Sequence, residues 1–268
     1  MPDSALMLEK YFFWLVVYSV IGWVYESALE SFRQKKLVNR GFLNGPYCPI
    51  YGFGSLLDVI ILGNLRYNAF LLFVSSAVLT CILEYITSVV MEKIFNVRWW
   101  DYNDFKFTVF GKEIFVGKFN INGRICLVGA LAFGTLSILL VYFIHPFIES
   151  VTNRFSYPLF HYVCGGLFIL ILIDCLHTIL GFSSFNEKLK GLSANISHIR
   201  GNINDKVQST VAYEKINSAY EKFVKSLNNQ QIRLIHSFSH LRSIKYRKIS
   251  EEVRKFVFRK DRNKGKKK

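Results

Sequence analysis

Two carboxylates, Glu26 and Glu84, lie inside apolar runs of this 268-residue chain, and two arginines, Arg40 and Arg124, sit just outside such runs. A charge in a hydrocarbon layer is costly, so an intramembrane carboxylate normally faces a partner, water or cargo. Tyr18, Gly22 and Glu26 are spaced by four, which puts them on one helix face. Tyr47, Cys48, Tyr51, Asp101, Tyr102 and Asn122 add hydroxyl, thiol, carboxylate and amide groups near the same runs. One chemistry for such a set is a polar basin that binds a substrate or an ion, with Arg40 and Arg124 as the cations opposite Glu26 and Glu84. A second is acid–base or nucleophilic work on a lipid-linked substrate, with Cys48 as the nucleophile. A third is structural: ion pairs that lock helix ends to loops. No catalytic triad and no metal-ligand spacing appears, so neither a metal nor a cofactor is expected. The five cysteines form no CxxC and are odd in number, which argues against a disulfide framework.

The elements that must position these groups are apolar. The chain is 51% hydrophobic, with 25 Phe and 14 Tyr. Five runs stand out, at about 8–29, 50–64, 69–92, 125–145 and 159–181. The first is read as a retained helix. The second is short and contains Asp58, so a tilted span and a re-entrant segment both fit. Lysines and arginines are sparse before run one, between runs two and three, and between runs four and five; they are frequent in the other loops and in the tail. That alternation predicts five crossings, with the N-terminus outside and the tail in the cytosol of a bacterial plasma membrane protein. A re-entrant second run would break the alternation, so a true span is favoured. The expected fold is all-α and polytopic, with 1–182 as the transmembrane domain.

The net charge of +15 is carried by the tail. From Phe185 onward there are 21 Lys/Arg against 7 Asp/Glu. Leu189, Leu192, Ile196, Ile199 and Ile203 recur at spacings of three and four, and the same register continues through polar interruptions to Phe238 and Leu241. Residues 183–260 therefore read as a cytosolic coiled coil or helical hairpin, or as a basic amphipathic helix on the inner leaflet. Residues 261–268 read as a disordered basic end. The partners expected are the lipid bilayer and a second copy through the tail; nucleic acid is not expected. In the third-to-fourth-run loop, polar and apolar residues alternate from Phe105 to Phe119 around Phe110-Gly111, which predicts a small β-hairpin. Trp99 and Trp100 read as an interfacial anchor.

The stretch RGFLNGPYCPIYGFG (Arg40–Gly54) concentrates Gly41, Gly45, Pro46, Pro49 and Gly52 at the start of the second run. Each proline disfavours helix at the residue before it, so Gly45 and Cys48 should be extended. The stretch then forms a shaped, non-helical lip that carries Tyr47, Cys48 and Tyr51 towards Glu26 and Glu84.

These pieces, with IGWVYES (Ile21–Ser27), LEYITSVVMEKIF (Leu83–Phe95), WWDY (Trp99–Tyr102) and NINGRICL (Asn120–Leu127), resemble the bacterial ABC-transporter type IV (CmpB-like) membrane family in content and order. The resemblance covers about residues 10–180. It departs through the longer link FKFTVFGKEIFVGKF and through the long basic tail. It implies a permease-like role, with motif positions at Glu26, Arg40, Gly41, Gly45, Pro46, Cys48, Pro49, Tyr51, Gly52, Glu84, Tyr85, Trp100, Asp101, Tyr102, Asn122, Gly123, Arg124 and Cys126. The chain has no GxxxxGK[ST], so an ABC role would require a separate ATPase subunit. A membrane enzyme on a lipid substrate and a non-catalytic scaffold remain the alternative functions.

Overall fold

The computed structural model describes residues 2–103, 106–109, 112–115, 117, 119–201 and 206–265. It is mostly helical and divides into two compact units. The first comprises 1–89 and 101–176, and the second 90–100 and 177–268.

In the first unit, α1 (Pro2–Gln34) is followed by a non-helical stretch and by α2 (Pro49–Leu62). A 3-10 turn (Gly63–Tyr67) leads to α3 (Ala69–Phe95). After the loop strands, α4 (Leu127–Leu139), a π-helical turn (Leu140–Ile144) and α5 (His145–Thr152) form one continuous rod, and α6 (Tyr157–Ser183) follows. Among the described residues, four helices are long and apolar enough to cross a membrane: Ser4–Gln34, Ala69–Phe95, Leu127–Thr152 and Tyr157–Gly201. The second apolar run is α2. At 1.5 Å per residue its 14 residues extend about 21 Å, short of the roughly 30 Å hydrocarbon core. The 3-10 turn adds about 10 Å.

α1 and α2 pack closely because glycines face each other's helix. A Cβ on Gly52 would lie 2.4 Å from the Leu15 carbonyl oxygen, and one on Gly22 would lie 2.3 Å from Tyr51 Cβ. Without a hydrophobic drive between helices in lipid, such small residues let backbones approach. Long-range contacts define the two ends of this unit. At one end, Lys10 Nζ donates to Asn153 Oδ1 (2.8 Å), Trp14 Nε1 donates to Thr152 Oγ1 (3.0 Å), and Tyr142 donates to the Arg66 carbonyl. The N-terminal half of α1, the 3-10 turn and the α5–α6 turn therefore share that end. Loops 35–48 and 101–126 share the other. Apolar side chains such as Phe70, Val74, Val78, Ile82 and Ile86 recur every four residues along α3 and are exposed, as a lipid-facing stripe would be.

The loop after α3 holds β1 (Val97–Arg98), β2 (Lys106–Val109), β3 (Lys112–Phe115), β4 (Asn120–Ile121) and β5 (Ile125–Cys126). β2 and β3 pair antiparallel in the register Phe107↔Ile114, where the hairpin was expected. Its central Phe110-Gly111 lies outside the described residues. β4 and β5 form a second, unanticipated hairpin around Asn122-Gly123, with φ of 53° and 66°. The pairing of Ile121 with Ile125 leaves a three-residue loop, in which the Arg124 N–H donates to the Ile121 carbonyl (3.0 Å) and closes a turn whose two positive φ values suit Asn-Gly.

The second unit draws on more of the chain than the segment after residue 182. It takes the end of α3, β1 and the end of α6 together with α7 (Phe185–Gly201), α8 (Lys206–Ser226), α9 (Asn229–Ser237), β6 (Arg242–Ser243) and α10 (Arg247–Gly265). β1 pairs antiparallel with β6, Val97 opposite Ser243, which ties the loop to the tail. Trp99 is only 2% exposed and packs its ring against Phe95, Phe182 and Phe238 at 5.0–5.5 Å. It is a core residue of this unit and not the interfacial anchor expected; Trp100 is half-buried. Of the readings for the tail, the structure has the helical hairpin, α7 against α8, with α10 packed on both. Leu189, Leu192 and Ile196 are buried there with Tyr220, Phe223 and Val253. The heptad register does not run on to Leu241. Asn228 stops it by capping α9, with a reciprocal bond from Gln231, and the β1 pairing holds Arg242–Ser243 extended. The helix also continues to Gly265 where a disordered end was expected from 261; residues 266–268 lie outside the described set.

Candidate functional site

The site grows from the non-helical stretch ahead of α2. Pro49 occupies the first turn of α2 and Cys48 before it is extended (φ −116°, ψ 95°), as the X-Pro restriction demands. Cys48 N–H donates to the Ser19 carbonyl (2.8 Å), anchoring the lip to α1. The rest of the lip is organised by a residue absent from the sequence-based site, Asp174 of α6. Its carboxylate accepts from Asn44 N–H (3.0 Å), Asn44 Nδ2 (2.8 Å), Gly45 N–H (2.8 Å) and Tyr47 Oη (2.5 Å). Tyr47 is therefore a strut of the lip and not part of the basin with Glu26. The signal for Asp174 was its place in an apolar run; its partner, 130 residues away, is visible only in the fold.

Glu26 and Arg40 do meet. Arg40 Nε lies 3.4 Å from Glu26 Oε2, and Tyr51 donates to Glu26 Oε1 (2.6 Å). Arg40 N–H also donates to Ser27 Oγ (3.2 Å). Cys48 is buried beside this pair. Burial, followed by the nearby Glu26 carboxylate, pushes its thiol up to about 12. A thiol so far from its thiolate is a poor nucleophile.

Glu84 is 6% exposed and takes its bond from Tyr102 Oη (3.0 Å), not from Arg124. Burial raises the Tyr102 hydroxyl well above its ordinary value, and the Glu84 carboxylate adds to this. The expected Glu84–Arg124 partnership is thus replaced. Arg124 Nη1 donates to Ser88 Oγ (2.8 Å), and the guanidinium lies 5.7 Å from the Tyr85 ring centroid. The Asn122-Gly123 hairpin explains this: it docks on α3 through Asn122 Nδ2 to Tyr85 Oη (3.1 Å) and carries Arg124 one turn beyond Glu84. The same hairpin fixes Tyr102, whose N–H donates to the Gly123 carbonyl (2.9 Å). Gly123 can carry no side chain here, since a Cβ would sit 2.2 Å from Asp101 Oδ1. Asp101 in turn accepts from Asn103 N–H (3.0 Å) and belongs to the hairpin's support.

Tyr51 and Glu84 open onto a cavity of about 70 Å³. Its walls are α2 (Ile50, Gly54, Ser55, Asp58), α3 (Thr80, Leu83) and the α4 rod (Phe133, Leu136, Ser137, Leu140). By the volume one water needs, it holds about five. Asp58 lies deeper, is 2% exposed, and accepts a hydrogen bond from Ser137 Oγ. Of the expected residues Tyr51 and Glu84 line this space; Glu26 and Arg40 adjoin it through Tyr51, and Tyr102 through Glu84. Asp101, Asn122 and Arg124 brace its rim, and Tyr47 braces the lip. Among the described residues no cluster of three or more His, Cys, Asp or Glu could hold a metal ion.

Long apolar helices with carboxyls buried among them define an integral, multi-pass membrane protein of transporter-like type. The chain belongs to the family described as "Putative ABC-transporter type IV", whose model matches residues 13–179. That span begins within α1, ends within α6, includes every residue lining the cavity and stops before α7. No curated protein and no solved structure matches the chain.

Proposed function

We propose that the protein is a permease-like membrane subunit with a polar site for a small substrate or ion at the cytosolic side of the bilayer. The observation that carries this reading is the cavity between α2, α3 and α4, onto which Glu84 opens while one of its buried oxygens has no hydrogen-bond partner. A polar group left unsatisfied in a low-dielectric interior costs about 1–3 kcal/mol, so the space asks for an occupant that supplies a bond. Non-helical backbone at the start of α2 and a π turn at the end of α4 are interruptions of the kind transport sites use. α2 with its 3-10 turn, about 31 Å together, serves as a fifth crossing, and the charge alternation orients the N-terminus outside. ATP hydrolysis, where it drives the cycle, comes from a separate polypeptide. The raised Cys48 thiol counts against the enzyme reading that needed it as a nucleophile.

The test is solute accumulation in cells carrying the wild type, Glu84→Gln or an empty vector, followed across a broad panel of labelled small solutes. The expected result is a solute class moved by the wild type and not by Glu84→Gln. Identical profiles for all three would end the transport reading.

A further inference from the structure

A second buried carboxyl of the first unit, Asp58, is not among the motif positions of the resemblance, yet it lines the same cavity as Glu84. Both side chains are more than nine-tenths buried, at 2% and 6% exposure. Glu84 Oε2 is buried with no hydrogen-bond partner, and Asp58 Oδ1 is buried with only the Ser76 hydroxyl beside it. The groups packed around them are mostly neutral. Asp58 is faced by Ser76 of α3 and Ser137 of α4. Glu84 is faced by Tyr51 of α2, by Tyr102, and by Cys81 and Cys126, with the Glu26 carboxylate as a further negative neighbour. Arg40 is engaged with Glu26, and Arg124 with Ser88. Gly54 faces Thr80 and Leu83, which sets the register of antiparallel α2 and α3. At 1.5 Å per residue, Asp58 and Glu84 then stand about 10 Å apart along the helix axes.

Two carboxyls lining one small cavity at membrane depth need positive charge, and a space of about 70 Å³ suits a bare ion with a few waters. We propose that the cavity is an intramembrane cation site in which Glu84 and Asp58 are two successive stations for a small monovalent cation, a proton or an alkali ion. Glu84, towards the lip, receives the cation. Asp58, steadied by Ser137, is the inner station. The proposal rests on the transport reading of this cavity for its purpose but not for its chemistry.

The experiment is infrared difference spectroscopy of the purified full chain in lipid nanodiscs, titrated with pH and then with sodium or potassium chloride at fixed pH. The wild type should show two carboxylic-acid C=O bands; Asp58→Asn and Glu84→Gln should each lose one. Ser137→Ala, which keeps both carboxyls, should shift the Asp58 band without removing it, and it serves where Asp58→Asn does not fold. In the alkali arm, loss of the bands on adding sodium or potassium assigns the site to that ion. Bands that titrate with pH and ignore both salts assign it to the proton, whereas bands that change with neither pH nor salt would mark permanently neutral acids and overturn the proposal. Absence of any band that responds to these substitutions, together with no alkali binding, would overturn the proposal. The measurement needs no solute and no ATPase. Bands that behave as stated beside a negative solute panel would refute transport alone, and the reverse pattern would refute the cation site alone.

Discussion

Asp174 holds the lip ahead of α2 through four donors on three residues, and removing it should loosen that segment selectively. Bonds to a charged acceptor contribute about 1.5–3 kcal/mol each, but four on one carboxylate are not additive. Asp174 is also only partly buried, so water replaces some of the lost bonds in Asp174→Ala. The net cost is then about 3 kcal/mol, close to two lost charge-assisted bonds. If local opening of the lip exposes the Asn44 and Gly45 amides, 3 kcal/mol corresponds to roughly a hundredfold faster hydrogen exchange there. Amides in the middle of α3 should hold their rates. The assay is hydrogen–deuterium exchange of the protein in nanodiscs, read peptide by peptide. Asp174→Asn keeps one acceptor oxygen but turns an NH2 towards backbone N–H groups, so it should fall between the two. Exchange at residues 44 and 45 within about twofold of wild type would refute the claim that this carboxylate shapes the lip.

Other consequences concern close approaches and reactivity. Gly52→Val should destabilise the first unit by about 3 kcal/mol or more, because its Cβ would fall 2.2 Å from Ser19 Oγ; Gly54→Ala, with 3.6 Å of room, should cost under 1 kcal/mol, both read by thermal unfolding in detergent. Gly123→Ala combines a positive φ with a 2.2 Å clash against Asp101, so limited proteolysis should cut the 96–126 loop at least about tenfold faster than in the wild type. Cys48 should alkylate about a thousandfold more slowly than a thiol of ordinary acidity, since its thiolate forms only as pH rises towards about 12. The same raised value works against stability at high pH: the unfolded chain loses the proton first, so stability falls as pH climbs above the ordinary thiol value towards 12. Alkylation of Cys48 at the rate of an unfolded peptide would remove that picture.

Much of the frame was written in local pattern. Run length and composition marked the long helices, because a hydrocarbon layer demands a set number of apolar residues. Pro49 and the extended Cys48 followed from sterics between adjacent residues. The β2–β3 hairpin followed from alternation. The Asn122-Gly123 hairpin was equally legible, since that dipeptide between apolar residues is the strongest short-range turn signal. The depth of Glu26 and Glu84 also came from the sequence, because charge inside an apolar run has few places to be.

Partnerships were decided elsewhere. Which cation meets which carboxylate depends on how loops dock, and the Asn122-Gly123 turn moved Arg124 one helical turn past Glu84 and left Tyr102 there instead. Asp174 and Tyr47 are 127 residues apart and meet because α6 packs beside the lip. Trp99 joined the core with Phe182 and Phe238 because β1 pairs with β6, a contact across about 145 residues that no periodicity encodes. Sequence alone determined that this chain is a membrane protein with buried charge, since the cost of placing charge in lipid is local to each residue. Only the tertiary structure decided that Asp58 and Glu84 share one cavity, since that depends on the register in which α2, α3 and α4 pack.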